Sequence, residues 1–161
     1  MLKPHFIFNS ITDISVEFLK ENNITALLLD VDNTMSVAHG NKTLRDGLPK
    51  WLSNMRDNGI SLMILSNAKK HRAKLFADSV GLSVVGLAAK PLPFGYLKAK
   101  KLLKVKRKNI AMVGDQIFTD IMGGRLSGMK TILVTDITPE EKLNFKIKRK
   151  LEKILLARWK K

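Results

Sequence analysis

The fold class is decided by the stretch TALLLDVDNT at residues 25–34. Residues 25–31 predict a buried strand that ends in acids, with Asp30 inside it and Asp32 directly after it. A short strand that is apolar on both sides is typical of a parallel sheet covered by helices on both faces. In such folds ligands bind beyond the carboxyl ends of the strands. The two acids are therefore expected at the ligand-binding edge of the sheet.

Four further apolar runs repeat this pattern along the chain. They predict strands at residues 60–67, 83–86, 109–115 and 130–134. Helical patterns lie between the strands, at residues 45–58, 69–80, 93–104 and 117–127. This alternation predicts a doubly wound α/β fold, in which helices cover both faces of a Rossmann-like parallel sheet. Because no repeat or Gly/Ser linker interrupts the pattern, we expect residues 1–161 to form one domain.

The composition excludes several classes of protein. The chain has no cysteine, which rules out disulfides, thiolate zinc sites and thiol nucleophiles. It lacks a run of about 18 apolar residues, so no membrane-spanning helix is predicted. Lys and Arg number 29 against 14 Asp and Glu, for a net charge of +15. This charge favours an anionic partner such as a phosphorylated substrate, nucleic acid or acidic lipid.

Polar side chains follow four of the predicted strands. In chain order they are Asp30 and Asp32, then Ser66 and Asn67, then Lys90, then Asp115. Because parallel strands end at the same edge of a sheet, these side chains are expected to lie close together. Any one of them is also compatible with a plainer role: Ser66-Asn67 as a helix N-cap, Lys90 as a solvated lysine, or Asp115 as a cap.

Phosphate-ester hydrolysis needs these residue types. It requires a nucleophile, a proton donor for the leaving oxygen, and positive charge around the phosphoryl group. Asp30 and Asp32 are two residues apart, so an extended segment projects both carboxylates to one side. Repulsion between them raises the pKa of one carboxyl, which suits that group to act as the acid. A hard divalent cation with oxygen ligands, Asp115 among them, would offset the repulsion.

Four motifs in this order resemble those of the haloacid dehalogenase superfamily. Residues 30–34 read Asp-x-Asp-x-Thr, Ser66-Asn67 resembles the second motif, Lys90-Pro91 the third, and GDQIFTD at residues 114–120 the fourth. The resemblance spans residues 25–134. It implies that Asp30 is the nucleophile and forms an aspartyl-phosphate. It also implies that Asp32 is the general acid/base and offers its backbone carbonyl to Mg²⁺.

The same resemblance implies roles for the remaining motif residues. Asp115 would be a Mg²⁺ ligand, and Asp120 a second ligand or a supporting carboxylate. Ser66, Asn67 and Lys90 are expected to bind the phosphate group. Thr34 is expected to steady the turn and is included with the substrate-binding residues. A surface role for Asp120 stays open as the plainer alternative.

The spacing of the motifs leaves no room for a cap domain. The chain from Thr34 to Ser66 holds a loop and one helix, and that from Ser66 to Lys90 one helix and a short strand. The site is therefore expected to be open. An open site favours substrates that are large or held on a surface.

The carboxyl-terminal segment, residues 139–161, is predicted to form a basic amphipathic helix. One apolar stripe recurs at steps of three and four: Leu143, Ile147, Leu151, Ile154, Leu155 and Trp159. After Glu141, Glu152 is the only acid among nine basic residues: Lys142, Lys146, Lys148, Arg149, Lys150, Lys153, Arg158, Lys160 and Lys161. Such a helix either lies on an anionic membrane surface or packs its stripe on the sheet.

The motif wording and the missing cap resemble the YqeG-like group of subfamily IIIA, which includes phosphatidylglycerophosphate phosphatases. This resemblance implies a Mg²⁺-dependent phosphatase that removes the terminal phosphate of phosphatidylglycerophosphate, an anionic phospholipid, and gives phosphatidylglycerol. From the composition and the basic helix we expect the protein to be cytoplasmic and peripheral on the inner face of the membrane. Two alternatives stay open. One is a soluble phosphatase acting on a sugar phosphate or a nucleic-acid end. The other is an RNA- or ribosome-associated protein with little turnover, although few aromatic residues accompany the basic runs.

Overall fold

Six parallel strands form one sheet in the computed structural model, which describes residues 2–37, 43–137 and 143–159, and in the last range the side chains of residues 150–158. The order across the sheet is β1-β6-β5-β2-β3-β4, and every neighbouring pair is parallel. The strands are β1 Phe6–Phe8, β2 Ala26–Leu29, β3 Ser61–Leu65, β4 Ser83–Val85, β5 Ile110–Gly114 and β6 Lys130–Val134.

Helices cover both faces of this sheet. They are α1 Val16–Glu21, α2 Leu48–Asp57, α3 Lys70–Val80, α4 Pro93–Leu103, α5 Met122–Leu126 and α6 Leu143–Trp159. Helices α1, α2 and α3 pack on one face of the sheet, and α4, α5 and α6 on the other. The predicted doubly wound α/β fold is therefore confirmed.

Strand β2 shows why its sequence is apolar throughout. Leu27 and Leu29 belong to the core under α1, α2 and α3, whereas Ala26 and Leu28 belong to the core under α4. All four residues are fully buried. A strand between two helical layers buries both of its faces, so neither face can be polar.

Two elements near the amino terminus were not predicted from the sequence. Strand β1 has three residues and joins the sheet edge by pairing with β6. The short helix α1 begins after Ser15, whose hydroxyl accepts a hydrogen bond from the Phe18 backbone at 3.1 Å. The predicted helix at 117–127 is also divided, into a π-helical turn at Ile117–Ile121 and then α5.

Helix α6 packs through a face that differs from the predicted stripe. Leu155 and Leu156 pack on Ile117, Ile121 and Leu133, and buried Glu152 accepts a hydrogen bond from the Ile117 backbone at 2.8 Å. In contrast, Leu151 and Ile154 are about half exposed, so of the two alternatives for the stripe, packing on the sheet holds for Leu155 and not for these two residues. The stripe was chosen by hydrophobicity alone, whereas the bond to Glu152 turns a polar position inward.

Other parts of that prediction lie outside the described residues. They are the helix start at Pro139 and the side chains of Leu143, Ile147 and Trp159. Among the described residues, no helix combines the length and the apolar character needed to cross a membrane.

Candidate active site

The turn after β2 separates the two acids of the first motif. The Asp30 backbone N–H still donates to Val113 of β5, at 3.0 Å, so Asp30 continues the line of the strand. The Val31 carbonyl then accepts backbone hydrogen bonds from Thr34, Met35 and Ser36. Asn33 takes a positive φ of 58° within this turn. Asp30 therefore lies inside the sheet edge, whereas Asp32 lies on the turn.

Lys90 connects two carboxylates at this edge. Its ammonium donates to Asp30 Oδ1 at 2.5 Å and to Asp120 Oδ1 at 2.7 Å. Asp115 follows β5, and one carboxylate oxygen from each of Asp30, Asp115 and Asp120 lies within 4.8 Å of the others. All four residues are buried. The structure thus brings together residues from three of the four sequence motifs.

Burial and charge shift the pKa values of this cluster. Burial, against the opposing charge of Lys90 and together with the charges of Asp115 and Asp32, raises the pKa of Asp30 to about 6. Burial likewise raises the pKa of Asp120 to about 6, against the pull of Lys90. For Lys90, burial lowers the pKa, but Asp120 and Asp30 outweigh this and hold the pKa above its usual range. The Lys90 ammonium therefore remains charged.

The three carboxylates fit a divalent cation. They are hard oxygen ligands, and one ammonium cannot neutralise three buried negative charges. Burial raises the pKa values of Asp30 and Asp120, so ionising these carboxyl groups is unfavourable unless a further positive charge is near. Asp30, Asp115 and Asp120 are thus a suitable ligand set for Mg²⁺.

Asp32 lies beside this cluster, at a pocket. Its carboxylate pairs with the Arg72 guanidinium from α3 at 3.0 Å and is partly exposed. The pocket has a volume of about 520 Å³ and includes the apolar side chains of Leu44, Leu75 and Phe76. Between β3 and β4 the chain forms only α3 and its short connections, so no inserted domain covers this pocket from that segment.

The two residues of the second motif make different contacts. The Ser66 hydroxyl accepts a hydrogen bond from the Ala68 backbone at 3.1 Å, and its own proton is left to donate. The N-cap of α3 is Lys69, so the alternative of a Ser66-Asn67 helix cap is wrong. Asn67 instead binds the backbone of Lys90: Nδ2 donates to the carbonyl at 3.1 Å, and Oδ1 accepts from the N–H at 2.7 Å.

Thr34 has no exposed surface. Its backbone N–H closes the turn after β2 by donating to the Val31 carbonyl at 3.2 Å. Its hydroxyl has no hydrogen-bond partner among the described residues. The turn role fits the sequence expectation, whereas a contact between Thr34 and substrate stays a prediction.

Sequence reasoning missed three residues that shape the site. Arg45 donates two hydrogen bonds to the Asn33 carbonyl and pairs with Asp136, which ties the turn to the end of β6. The buried Tyr96 hydroxyl donates to the Thr119 carbonyl at 2.9 Å, beside Asp120. A Cβ added to Gly114 would lie 2.3 Å from Asp120 Oδ2. Only Gly114 carried a signal, since a glycine just before Asp115 indicates a close approach.

Known proteins resemble this chain in sequence and in structure. A family model described as "Hydrolase: haloacid dehalogenase-like hydrolase" matches residues 11–128. "Probable phosphatase YqeG" of Bacillus subtilis (strain 168) is 30% identical over 161 residues, which cover 98% of this chain and 93% of that protein. "Phosphatidylglycerophosphatase GEP4, mitochondrial" of Saccharomyces cerevisiae is 26% identical, over 84% of this chain and 79% of that protein.

A solved structure has the same fold. It is the "putative HAD superfamily (subfamily III A) hydrolase from Legionella pneumophila", with a TM-score of 0.57 and 20% sequence identity. The match covers 76% of this chain and 71% of the Legionella chain. The family match extends over more than half of the residues, and it includes the strands that carry Asp30, Ser66 and Asp115. The chain is a member of the haloacid dehalogenase-like hydrolase family.

Proposed function

We propose that the protein is a Mg²⁺-dependent phosphatase whose substrate is phosphatidylglycerophosphate, an anionic phospholipid monoester. One observation carries the reaction type: Asp30, Asp115 and Asp120 form a buried cluster in which Lys90 pairs with Asp30 and Asp120, with Asp32 beside them at the pocket. The cluster supports phosphoryl transfer because it offers a carboxylate nucleophile, fixed positive charge and a set of metal ligands.

The chain's own residues account for both halves of the reaction. A carboxylate oxygen of Asp30 forms a bond to phosphorus while the bond from phosphorus to the leaving oxygen breaks, and Asp32 gives its proton to that oxygen. Asp32 then takes a proton from water, whose oxygen attacks phosphorus and breaks the bond to Asp30. Inorganic phosphate leaves, and both carboxyl groups return to their starting states.

Lys90 and Ser66 would hold the phosphoryl group. An ammonium has three protons, and Lys90 directs two of them to Asp30 and Asp120, which leaves the third for a phosphoryl oxygen. The Ser66 hydroxyl has its proton available to a second oxygen. We assign Mg²⁺ to Asp30, Asp115, Asp120 and the carbonyl of Asp32; when bound, the ion neutralises charge on the phosphoryl oxygens.

Three observations support a lipid substrate. One curated relative is named a phosphatidylglycerophosphatase. The pocket beside Asp32 has apolar walls and basic residues, which suit a phosphorylated glycerol next to hydrocarbon. The net charge of +15 favours an anionic membrane, and the exposed Leu151 and Ile154 on the basic helix α6 support peripheral binding at the inner face of the membrane.

The test measures phosphate release from phosphatidylglycerophosphate in mixed micelles with Mg²⁺. We expect Asp30→Asn to reduce turnover by roughly 10³-fold or more, since it removes the nucleophile. Asp57→Asn, at an exposed position on α2, is the matched control and should keep wild-type turnover. Equal release by Asp30→Asn and the wild type would contradict the proposed nucleophile.

A substrate comparison separates the alternatives. Glucose 6-phosphate and a 5′-phosphorylated oligonucleotide are offered at the same concentration as the lipid. Faster turnover of either one would favour the soluble phosphatase. Tight RNA binding without hydrolysis of any substrate would favour the RNA-associated protein.

A further inference from the structure

Four large apolar side chains are exposed on the segment that carries Lys90. Leu87 is 56% exposed, Leu92 52%, Phe94 72% and Leu97 37%. We call these four residues the apolar rim. A folded protein seldom exposes several large apolar side chains in one short segment unless the patch meets a partner. The rim begins three residues before Lys90, so it lies next to the proposed site.

The apolar rim cannot fold inward, because the space behind it is filled. Ala88 and Tyr96 are buried in the core under α4. Gly95 packs on Ala88 so closely that an added Cβ would lie 2.5 Å from the Ala88 carbonyl. The Leu87 N–H donates a hydrogen bond to the Ala68 carbonyl, and the Ala88 N–H donates one to the Ser66 carbonyl. The segment is thus held at both ends, with the rim facing solvent.

The surface around the rim is basic. Lys98 and Lys101 are exposed on α4, and residues 79–114 contain no Asp or Glu to oppose them. A neighbouring groove is lined by Lys70, Lys74 and Lys98, together with Gly86, which precedes Leu87. Phe94 and Lys98 are one helical turn apart on α4 and both exposed, so apolar and cationic groups share one face.

We propose that the apolar rim inserts into a bilayer containing anionic phospholipid, while the surrounding lysines bind its headgroups. Apolar side chains bordered by cations match the interfacial region of an anionic membrane. A second copy of this chain is a poorer partner, because a two-fold contact would place the same basic surface against itself. RNA would match the lysines but not the leucines. The inference rests on the proposed lipid substrate and adds where the protein contacts the membrane.

The experiment measures binding of the full chain to vesicles of phosphatidylcholine with phosphatidylglycerol, by flotation. Leu92→Ser/Phe94→Ser is compared with Leu151→Ser/Ile154→Ser, which removes two exposed apolar side chains from α6 instead. We expect the rim variant to reduce the partition coefficient at least tenfold, and the α6 variant to change it less. Lys98→Glu/Lys101→Glu should lose the preference for vesicles with phosphatidylglycerol over those of phosphatidylcholine alone.

Control measurements separate docking from catalysis. The rim variant should hydrolyse p-nitrophenyl phosphate at the wild-type rate, because Leu92 and Phe94 are exposed and take no part in the proposed reaction, and its Tm should not fall. Vesicle binding equal to wild type would overturn the rim proposal, whether or not the lipid is a substrate. A change of oligomeric state with unchanged vesicle binding would assign the rim to a contact between copies and also overturn it. Conversely, if the rim variant loses vesicle binding but the wild type does not hydrolyse the lipid, the rim proposal stands and the proposed substrate is rejected.

Discussion

Asn67 holds the backbone of Lys90 with both polar atoms of its amide, one donating and one accepting. The sequence motif placed Asn67 among the phosphate-binding residues, but these two hydrogen bonds make it a positioning residue for Lys90. Lys90 in turn pairs with Asp30 and Asp120. In the proposed reaction Asn67 would therefore act through Lys90, whose backbone it holds.

We expect Asn67→Ala to lower kcat by roughly 10- to 100-fold, because a small displacement of a positioning group is costly to rate. Loss of the two hydrogen bonds should also lower the free energy of unfolding by about 1 kcal/mol. Steady-state kinetics with p-nitrophenyl phosphate and thermal unfolding measure the two effects. Asn54→Ala, exposed on α2, is the matched control. An unchanged kcat in Asn67→Ala would show that the two hydrogen bonds to Lys90 are not needed for turnover.

Replacing Gly114 with alanine is expected to displace Asp120. The added Cβ would overlap Asp120 Oδ2, Cγ and Cβ, so the carboxylate must leave Lys90 and the Gln116 N–H. We expect loss of turnover and of Mg²⁺-dependent stabilisation, with about 1–3 kcal/mol of destabilisation from overpacking. Isothermal titration with Mg²⁺ and activity assays test this.

Gly59→Ala serves as the control for that variant. Gly59 has a positive φ of 77° but open space around its Cα, so alanine there costs stability without touching the site. Turnover should survive in Gly59→Ala. Similar activity in the two variants would contradict the role of Gly114.

The metal-free protein should lose stability as the pH rises from 4 to 6. The pKa of Asp30 is about 6 in the folded state and 3.8 when unperturbed, so in this range the folded chain keeps a proton that the unfolded chain has released. The free energy of unfolding then falls with pH, by about 3 kcal/mol for a shift of this size. Asp120 contributes in the same direction.

Thermal unfolding in EDTA and in Mg²⁺ at pH 5 and pH 7 checks this expectation. The difference in Tm between Mg²⁺ and EDTA should be larger at pH 7, because ionised carboxylates bind the cation. Asp30→Asn should reduce the pH dependence in EDTA. A metal-free protein that becomes more stable between pH 5 and pH 7 would refute the assignment.

Glu152 is expected to anchor α6 to the segment that carries Asp120. Its carboxylate accepts from the Ile117 N–H, at the start of the π-helical turn. Glu152→Ala leaves that buried N–H unsatisfied, so we expect a loss of about 1–3 kcal/mol in the free energy of unfolding. Chemical denaturation measures the loss, and Glu21→Ala, exposed on α1, should show almost none. For the same reason, deleting residues 139–161 disturbs the core, and point variants are the better probe of membrane binding.

The sequence alone predicted the parts of the fold that are long and regular. Strand β2 is indicated by four apolar residues followed by acids, β5 by an apolar run followed by Asp115, and β3 by an apolar run followed by Ser66 and Asn67. Strand β4 is as short as β1 and also lies at a sheet edge, but it follows Gly81 within the alternating pattern of strands and helices. Strand β1 was missed because it precedes that pattern and pairs with β6 across more than 120 residues. Hydrophobicity alone did not show which face of α6 packs on the sheet, because it cannot reveal that the buried Ile117 N–H needs a hydrogen-bond acceptor, which Glu152 supplies.

The candidate site was predictable to the extent that parallel strands end together. That rule brought Asp30, Ser66 and Asp115 to one edge without any distance being known. It could not reveal that Lys90 pairs with Asp120 as well as Asp30, since the bend that turns Asp120 inward is a π-helical turn. The sequence predicted that repulsion within the acid pair would raise the pKa of one carboxyl. In the structure the raised pKa is that of Asp30, and burial is its main cause. Burial depends on packing, which a sequence does not display.

The short segment from Leu87 to Leu97 carries both the Lys90 ammonium of the site and Phe94, the most exposed side chain of the apolar rim. Lys90 and Phe94 are four positions apart, and neighbouring backbone contacts hold the segment firmly. If Phe94 rests at a given depth in the headgroup region, its fixed spacing from Lys90 sets the height of the Lys90 ammonium above the hydrocarbon. That height in turn sets the height of the phosphorus that Lys90 would bind. We therefore expect turnover on vesicles to respond to headgroup spacing and bilayer curvature.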